Sequence, residues 1–274
     1  MSWWLIEASG DGPTLEAAAV ALVEATGQAV EERDRMVVGF GADQAAAEQA
    51  RTALEARFGA ALTVAIRPVP TTDWSTAWRE GLSVRTVGRL RTGPSWLLEP
   101  APDAVVLDPE TAFGSGEHGS TRGALRLIDR HLTPGATVLD LGSGSGILSI
   151  GAVKLGAARA LGIEVDEEAV PIAEDNAVRN GVADRVAFLV GDARHLAPLA
   201  GPVDLVVSNI LRHVNETLLG PIAAALRPGG IAVFAGMEVG EADMFRPALA
   251  AAGFQVLAEE TDEGWWSVAA RCTG

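Results

Sequence analysis

Cysteine, tyrosine and lysine are scarce in this chain of 274 residues. It has one cysteine, Cys272, and no tyrosine, and Lys154 is the single lysine among 21 basic residues. One cysteine excludes a disulfide framework and a cysteine-rich zinc module, and it fits a reducing compartment. No apolar run approaches the roughly 18 residues that a membrane span needs, and "MSWWLIEASGDG" lacks the basic start of a signal peptide. We therefore expect a soluble, cytoplasmic protein with no membrane partner.

Positive charge is also in short supply. The chain carries 36 acidic and 21 basic residues, which gives a formal net charge of −15. Such a surface repels phosphate backbones, so we expect no direct nucleic-acid partner. A basic protein or a cationic small molecule is a more natural partner. The four histidines show no metal-ligand spacing, and we expect no metal site.

The hydrophobic pattern divides the chain into two folded parts. Residues 1–71 follow the order β-α-β-β-α-β, which predicts a small α+β, ferredoxin-like domain. Residues 72–104 hold a short helical stretch and a proline- and glycine-rich run, which predict a linker. In residues 105–274, apolar runs alternate with helices, as in a parallel sheet that is covered on both faces. The last two strands, separated by Glu263 and Gly264, predict an antiparallel hairpin at the edge of a seven-stranded, Rossmann-like α/β sheet.

A glycine-rich loop follows the first strand of this predicted sheet. The segment "TVLDLGSGSGILSIGA" places Gly142, Gly144 and Gly146 between a buried strand and a helix, where backbone N–H groups can meet a ligand. The dinucleotide fingerprint G-x-G-x-x-G fails, because Ile147 occupies the position of its third glycine. Asp140, just before the loop, would repel a pyrophosphate but suits the ammonium group of an amino acid.

Two more carboxylates end the next two strands. Glu164 lies 18 residues after Gly146, where it is placed to accept hydrogen bonds from a ribose diol. Asp192, in "VGDA", lies where its carboxylate could contact an adenine amino group. A ligand with a cationic amino acid, a ribose and an adenine but no phosphate is S-adenosylmethionine. A nicotinamide enzyme and a purely structural glycine turn are the alternatives.

Five segments of the chain resemble known methyltransferases. "VLDLGSGSGIL", "GIEVD" and "LRPGG" are similar to class I S-adenosylmethionine-dependent methyltransferases. "LDPETAFGSGEHGSTRGAL" and "VVSNIL" resemble the methyltransferases of ribosomal large-subunit protein L-eleven, whose patterns read roughly D-P-x-x-A-F-G-T-G-x-H-x-T-T and N-I-L. The resemblance spans Thr72 to Arg271, and the predicted N-terminal domain matches that family's substrate-recognition domain.

The resemblance implies roles for individual residues. Those expected to line the cofactor pocket are Thr121, Gly142, Glu164 and Asn209. Those expected in a loop that closes over the pocket are Phe113, Gly114 and His118. The chain departs from the family's pattern in this region, with Ser115, Gly119 and Ser120 in place of threonine, proline and threonine. Because glycine has more freedom in the unfolded chain, we expect Gly119 to loosen the loop.

Asn209 is the candidate for positioning the acceptor amine. An asparagine at the end of a buried strand either satisfies backbone groups or faces the ligand, and we favour the second role. The predicted function is transfer of methyl groups from S-adenosylmethionine to lysine or N-terminal amino groups of ribosomal protein L-eleven. Two alternatives stay open. One is a methyltransferase for another protein or a small amine, and the other is a non-catalytic S-adenosylmethionine-binding regulatory module.

Overall fold

The computed structural model describes residues 3–33, 35–69, 82–108 and 116–273. The chain forms two compact units that divide between residues 80 and 81. The short helix predicted near residues 72–80 lies outside the described residues.

The first unit is a four-stranded antiparallel sheet packed against two helices. Its strand order β2-β3-β1-β4 and chain order β-α-β-β-α-β are those of the ferredoxin-like domain predicted from the sequence. Ile6 of the sheet is fully buried with Leu22 and Leu54 of the helices. The carboxylates of Asp11 and Asp43 cap the two helices by accepting backbone N–H groups at 3.1 and 2.8 Å. The elements are β1 (Trp4–Gly10), α1 (Gly12–Thr26), β2 (Glu31–Arg33), β3 (Met36–Gly41), α2 (Gln44–Phe58) and β4 (Leu62–Pro68).

The second unit is built largely from alternating strands and helices. Its elements are β5 (Arg85–Val87), β6 (Leu90–Gly93), β7 (Ala104–Val106), α3 (Gly119–His131), β8 (Thr137–Leu141), α4 (Ile147–Lys154), β9 (Arg159–Glu164), α5 (Ala169–Arg179), β10 (Val186–Val190), α6 (Ala193–Ala200), β11 (Val203–Asn209), α7 (Arg212–Ala225), β12 (Leu226–Glu238), α8 (Ala242–Ala251), β13 (Phe254–Asp262) and β14 (Trp265–Cys272). In the described part of the chain, no helix is long and apolar enough to cross a membrane.

The main sheet of this unit has seven strands in the order β10-β9-β8-β11-β12-β14-β13. The first five are parallel, and β14 runs antiparallel to both β12 and β13. This arrangement confirms the predicted Rossmann-like sheet with its C-terminal hairpin. The chain order reverses between β8 and β11, and sheets of this kind bind ligands beyond the carboxyl ends of the strands at such a point.

Apolar clusters cover both faces of the main sheet. Successive residues of one strand point to opposite faces, so Val138 and Leu139 of β8 enter different clusters. The same holds for Val206 and Val207 of β11. Burial on both faces explains why these strands are continuous apolar runs in the sequence.

Residues 85–106 form a three-stranded sheet where the sequence analysis predicted a linker. β5 pairs antiparallel with β6, and β6 pairs in parallel with β7. Val87 and Leu90 are buried in the same apolar cluster as Leu125 and Ile150 of α3 and α4. The folded second unit therefore begins well before residue 105. Strands of three or four residues among glycines and prolines carry too little periodicity to be distinguished from a linker.

Helix α3 lies very close to the β13–β14 hairpin. A Cβ atom on Gly119 would come within 2.3 Å of the carbonyl oxygen of Asp262, and one on Gly123 within 2.6 Å of the hydroxyl of Ser267. Without a shift of the hairpin, such distances leave room only for a residue that has no side chain. Gly119 is thus the buried first residue of a packed helix, and the expectation that it loosens a loop is not met.

Ion pairs join the same helix and hairpin. The pairs are Arg122–Asp262, Arg122–Glu263, Arg126–Asp262, Arg126–Glu260 and Arg130–Glu260. Arg122 donates to both carboxylate oxygens of Asp262, at 2.9 and 2.6 Å. These hydrogen bonds, and that from Arg126, lower the pKa of Asp262 to about 2. The Arg122 side chain is only 6% exposed, so its charge depends on these partners.

We predict that Asp262→Asn lowers the free energy of unfolding by about 2 kcal/mol at pH 7. A carboxyl whose pKa falls from 3.8 to about 2 on folding contributes stability above pH 3.8 and loses it as the pH falls toward 2. The difference from the wild type should therefore shrink to about half near pH 3. Urea denaturation at both pH values measures it.

The matched control is Asp243→Asn, because the Asp243 side chain is 95% exposed and its pair with Arg246 lies on the surface. That change should stay within about 0.5 kcal/mol of the wild type. An equal effect of the two substitutions at pH 7 would contradict a structural role for the Asp262 pairs.

Candidate active site

A cavity of about 760 Å³ opens at the carboxyl ends of the central strands. It lies where the strand order reverses, and its walls come from the glycine loop, the ends of β9 and β11, and the starts of α3, α6, α7 and β14. Polar and aromatic side chains that line it include His118, Glu164, Asp192, Arg194, Asn209 and Trp265. A concave site with a few convergent polar groups is typical of a small-molecule binding site.

The glycine loop turns through three residues with positive φ. The angles are 72° at Gly142, 49° at Gly144 and 80° at Gly146. A Cβ on Gly142 would lie 2.6 Å from a methyl of Ile210, so backbone rather than side chains forms this wall. Gly142 and Gly144 line the cavity as predicted. Gly146 differs: a Cβ there would meet the ring of Phe188 at 2.7 Å, and the structure gives it a packing position rather than a place in the described lining.

Glu164 lines the cavity and also holds the glycine loop. Its Oε2 accepts the N–H of Gly144 at 2.8 Å. Its Oε1 accepts the N–H groups of Val165 and Asp166 at 2.8 and 3.1 Å. A carboxylate offers about four acceptor positions, so capacity remains for a hydroxyl group in the cavity.

Asp140 is fully buried and points to helix α4. Its Oδ2 accepts the backbone N–H of Ser149 at 3.0 Å and the hydroxyl of Ser149 at 2.8 Å. Burial raises the pKa of Asp140 to about 7, although the hydrogen bonds from Ser149 oppose that rise. Among the described residues, Asp140 is not part of the cavity lining. Oδ2 is thus directed at the covering helix, whereas Oδ1 is buried and has no hydrogen-bond partner among the described residues, and the expected contact of Asp140 with an ammonium group stays a prediction.

Asp192 lies in the cavity wall as predicted, but it is already paired. Its carboxylate caps α6 by accepting the N–H of Arg194 at 2.9 Å, and it also pairs with the Arg194 guanidinium at 2.6 Å. The side-chain hydrogen bond from Arg194 is the main cause that lowers the pKa of Asp192 to about 2. The sequence pattern indicated the carboxylate of Asp192 but did not indicate its ion pair with Arg194.

Asn209 ends β11 and carries an acceptor that no described residue satisfies. Its Nδ2 donates to the hydroxyl of Thr121 at 3.3 Å. Its Oδ1 is buried and accepts no hydrogen bond from the part of the chain that the structure describes. Such an atom is rare in a folded protein, and its lack of a partner calls for an explanation. Thr121 itself is fully buried and contacts Asn209 instead of lining the cavity.

The turn after Asn209 is fixed by a residue that the sequence analysis did not identify. Asn215 of α7 is fully buried and donates to the carbonyl of Ile210 at 2.9 Å. Its Oδ1 accepts the hydroxyl of Ser208 at 2.7 Å. Gly236 leaves room for the same turn, since a Cβ there would lie 2.5 Å from the Ile210 carbonyl oxygen. Asn215 lies inside a stretch with an ordinary helical sequence, so no local pattern could have revealed its role.

His118 and Trp265 form an aromatic wall at another side of the cavity. Their ring centroids lie 4.2 Å apart, with the ring planes tilted by 54°. His118 Nδ1 lies 2.7 Å from the hydroxyl of Ser120, and burial lowers the pKa of His118 below its ordinary value. The structure thus brings His118 to the cavity as expected, and it adds Trp265. Phe113 and Gly114, predicted in the same loop, lie outside the described residues.

The fold and the site together define a class of protein. A seven-stranded sheet with a C-terminal hairpin, a backbone-lined glycine loop and an acidic residue ending the second strand belong to class I S-adenosylmethionine-dependent methyltransferases. The residues fit that cofactor on their own geometry. The glycine loop leaves a cradle that a Cβ would crowd, and Glu164 keeps free acceptor capacity beside it.

Comparisons with known proteins agree with this class. The family model described as ribosomal protein L11 methyltransferase (PrmA) matches residues 1–273. A ribosomal protein L11 methyltransferase of Pelotomaculum thermopropionicum is 38% identical over 217 residues, which cover 78% of this chain and 70% of the relative. One of Thermus thermophilus is 43% identical over 195 residues, covering 71% and 75%. The crystal structure of a ribosomal protein L11 methylase from Lactobacillus delbrueckii subsp. bulgaricus aligns with a TM-score of 0.63 at 31% identity, over 70% of this chain and 99% of that chain.

The chain belongs to the ribosomal protein L11 methyltransferase family and is an S-adenosylmethionine-dependent enzyme. The resemblance carried by the segments before the glycine loop and at the end of β11 is thereby confirmed. The alternative of a nicotinamide enzyme is wrong.

We predict that Glu164→Ala weakens S-adenosylmethionine binding by about 1.5–3 kcal/mol, or roughly ten- to 150-fold. The change removes a charged acceptor from the cavity and the anchor of Gly144. Isothermal titration calorimetry measures the affinity. Glu167→Ala is the matched control, because Glu167 is exposed on the loop after the same strand. Equal affinities of the two variants would show that Glu164 does not contact the cofactor.

Proposed function

We propose that this enzyme transfers methyl groups from S-adenosylmethionine to amino groups of ribosomal protein L11, on lysine side chains, on the N-terminus, or on both. Membership of the family across nearly the whole chain supports the acceptor. The buried, unsatisfied Oδ1 of Asn209 in the cavity wall supports catalysis on an N–H group. A module that only binds S-adenosylmethionine has no need of such an atom on its acceptor side.

Incubation with isotope-labelled S-adenosylmethionine and purified ribosomal protein L11, followed by mass mapping, tests this function. The expected result is label on specific amines of L11. A second basic ribosomal protein serves as the control for non-specific methylation. Label in another protein or in a small amine, with none in L11, would favour the alternative acceptors.

The cofactor is held, in this proposal, by the glycine loop and the acidic strand ends. The backbones of Gly142 and Gly144 approach it, Glu164 accepts hydrogen bonds from its ribose, and Asp192 lies on its adenine side. Asp140 and Gly146 act indirectly by shaping the loop through their packing. His118 lies beside the cofactor in this proposal, and the roles of Phe113 and Gly114 stay predictions.

The chemistry needs positioning more than it needs an acid or a base. When bound, S-adenosylmethionine would supply a methyl group already activated by its sulfonium, so the residues of this chain need only present a neutral amine to it. A lysine amine with a pKa of about 10.4 is mostly protonated at neutral pH and must lose a proton to solvent first. Holding the neutral amine in line can account for much of the rate enhancement.

Asn209 is proposed to orient that amine. Its Oδ1 accepts an N–H of the amine, which turns the nitrogen lone pair toward the cavity. Its Nδ2 is engaged by Thr121, so the two ends of the amide are distinguished and Oδ1 is the end that remains for the substrate. Thr121 therefore acts as a positioning residue that does not touch the amine.

The first unit is proposed to recognise the acceptor protein. The residues that line the cavity run from His118 to Trp265, so the described catalytic groups belong to the second unit. A separate, independently packed α+β unit without such groups suits recognition of an intact protein. We also propose that the enzyme acts in the cytoplasm, which its single cysteine favours.

We predict that Asn209→Ala lowers kcat on L11 by about tenfold or more while S-adenosylmethionine affinity changes little, because one oriented hydrogen bond is lost in the transition state. Steady-state kinetics and calorimetry measure the two quantities. Thr121→Ala should lower kcat in the same direction, and Thr121→Ser should restore it. The control is Thr217→Ala. Thr217 lies in the same cavity wall, and its hydroxyl donates to the Val214 carbonyl at 2.7 Å. An unchanged kcat in Asn209→Ala would make Asn209 structural.

We predict that a chain beginning at residue 82 binds S-adenosylmethionine like the full protein but loses most methylation of intact L11. It keeps β5 to β14 and both apolar clusters of the main sheet. Calorimetry and methylation assays compare the two chains, with circular dichroism as the control for folding. Free amines should be methylated similarly by both. Equal rates on intact L11 would show that the first unit is not the recognition module.

A further inference from the structure

Trp265 lines the cavity, whereas its neighbour Trp266 is buried in the core. Trp266 is 2% exposed and donates its indole N–H to Glu259 at 2.9 Å. Trp265, the first residue of β14, is partly exposed and lines the cavity together with His118 and Asn209. An indole in the wall of a polar cavity can offer an electronegative face as well as its N–H donor.

The position of the Trp265 ring is fixed by the hairpin contacts of α3. The two-residue loop between β13 and β14 consists of Glu263 and Gly264, with φ of 48° and 83°. A Cβ on Gly119 would lie 3.2 Å from Cδ1 of Trp265, so helix and indole are in close contact. The pair Arg122–Asp262 holds the end of β13, where Asp262 pairs with Trp265 across the hairpin. The indole is therefore held in a defined place at the start of α3.

The same helix links Trp265 to the amine-positioning group. Thr121, two residues after Gly119, contacts Asn209 at 3.3 Å. The first turn of α3 thus contacts both the indole of Trp265 and the amide of Asn209, and both residues line the same cavity.

The His118 ring lies against one side of the indole, with the ring centroids 4.2 Å apart, so a cation would meet the side of the indole that His118 does not cover. Burial and the charge of Arg122 lower the pKa of His118, although the charge of Glu263 opposes that shift, and a lowered pKa disfavours a positive charge on this ring. The Arg122 charge is itself balanced by Asp262 and Glu263. The amine of an acceptor protein arrives mostly as an ammonium ion. A cation within about 6 Å of an indole face is attracted by roughly 0.5–2 kcal/mol.

We propose that Trp265 is the acceptor-binding wall of the site and holds the substrate's ammonium group against its indole face before the proton leaves to solvent. The neutral amine then passes to Asn209. This inference rests on the proposed function, since it concerns the acceptor of the same reaction. It adds a contact that determines specificity for the acceptor and is distinct from the glycine loop that holds the cofactor.

Tetramethylammonium is the direct probe, because it carries the charge and has no N–H to donate or to methylate. The indole N–H resonance of Trp265 is identified in a ¹H–¹⁵N spectrum by its loss in Trp265→Phe. Titration of the wild type with tetramethylammonium, in the presence of S-adenosylhomocysteine, should shift that resonance saturably. The neutral isostere tert-butanol at the same concentrations should leave it unchanged. Equal shifts with both probes, or no shift with either, would overturn the proposal.

Kinetics on L11 give the second test. Trp265→Leu should raise KM for L11 by about 3- to 30-fold, the range that a cation–aromatic contact covers, with S-adenosylmethionine affinity unchanged. Trp265→Phe should fall between the wild type and the leucine variant, and it is the informative variant if leucine disturbs folding. Trp96→Leu is the matched control, because Trp96 is 38% exposed and is not among the described residues of the cavity lining. An unchanged KM in both Trp265 variants would refute the contact.

The two proposals fail in different ways. A wild-type enzyme that does not methylate L11 would refute the proposed acceptor, while the tetramethylammonium titration would still decide the role of Trp265. Methylation of L11 with no response of Trp265 to the cation would refute the aromatic wall alone.

Discussion

The close approach of α3 to the β13–β14 hairpin is the constraint on which the acceptor side of this enzyme depends. Two glycines four residues apart let the helix lie so near the hairpin that a single Cβ would collide with backbone or hydroxyl oxygen. At that distance Arg122 is nearly excluded from solvent, and its charge requires Asp262 and Glu263. Steric fit and ion pairing therefore act together, and neither would give a defined position alone. The hairpin contacts therefore also fix the first turn of α3, where Thr121 contacts Asn209.

Charge plays two separate roles in the molecule. Within the second unit, arginines are matched to hairpin carboxylates at contact distance, where the pairs lock one element to another. Over the whole chain, acidic residues remain in excess and give a net charge of −15. An excess of this kind attracts basic molecules and repels phosphate backbones over about a Debye length of 8–10 Å.

The cofactor half of the site could be predicted from the sequence because it is local. Gly142 and Gly144 lie in one loop and Glu164 ends the next strand, so strand–loop–helix order and spacing were enough to identify them. Asp140 shows the limit of that reasoning. Its carboxylate accepts a hydrogen bond from Ser149 of the covering helix, and the sequence around Asp140 does not indicate which helix covers the strand. The three short strands within residues 85–106 were missed for the same reason, since their stability comes from packing against α3 and α4.

The acceptor half could be predicted only in part because its members are distant in the chain. His118, Asn209 and Trp265 come from a helix start, a strand end and a hairpin, and only the packing of α3 brings them to one cavity. This division has a chemical consequence. In the proposed site, the cofactor side is formed by the backbone of the glycine loop and the carboxylate of Glu164. The proposed acceptor-binding wall is the single side chain of Trp265 at the start of β14, so its selectivity can change by substitution there while the glycine loop stays intact.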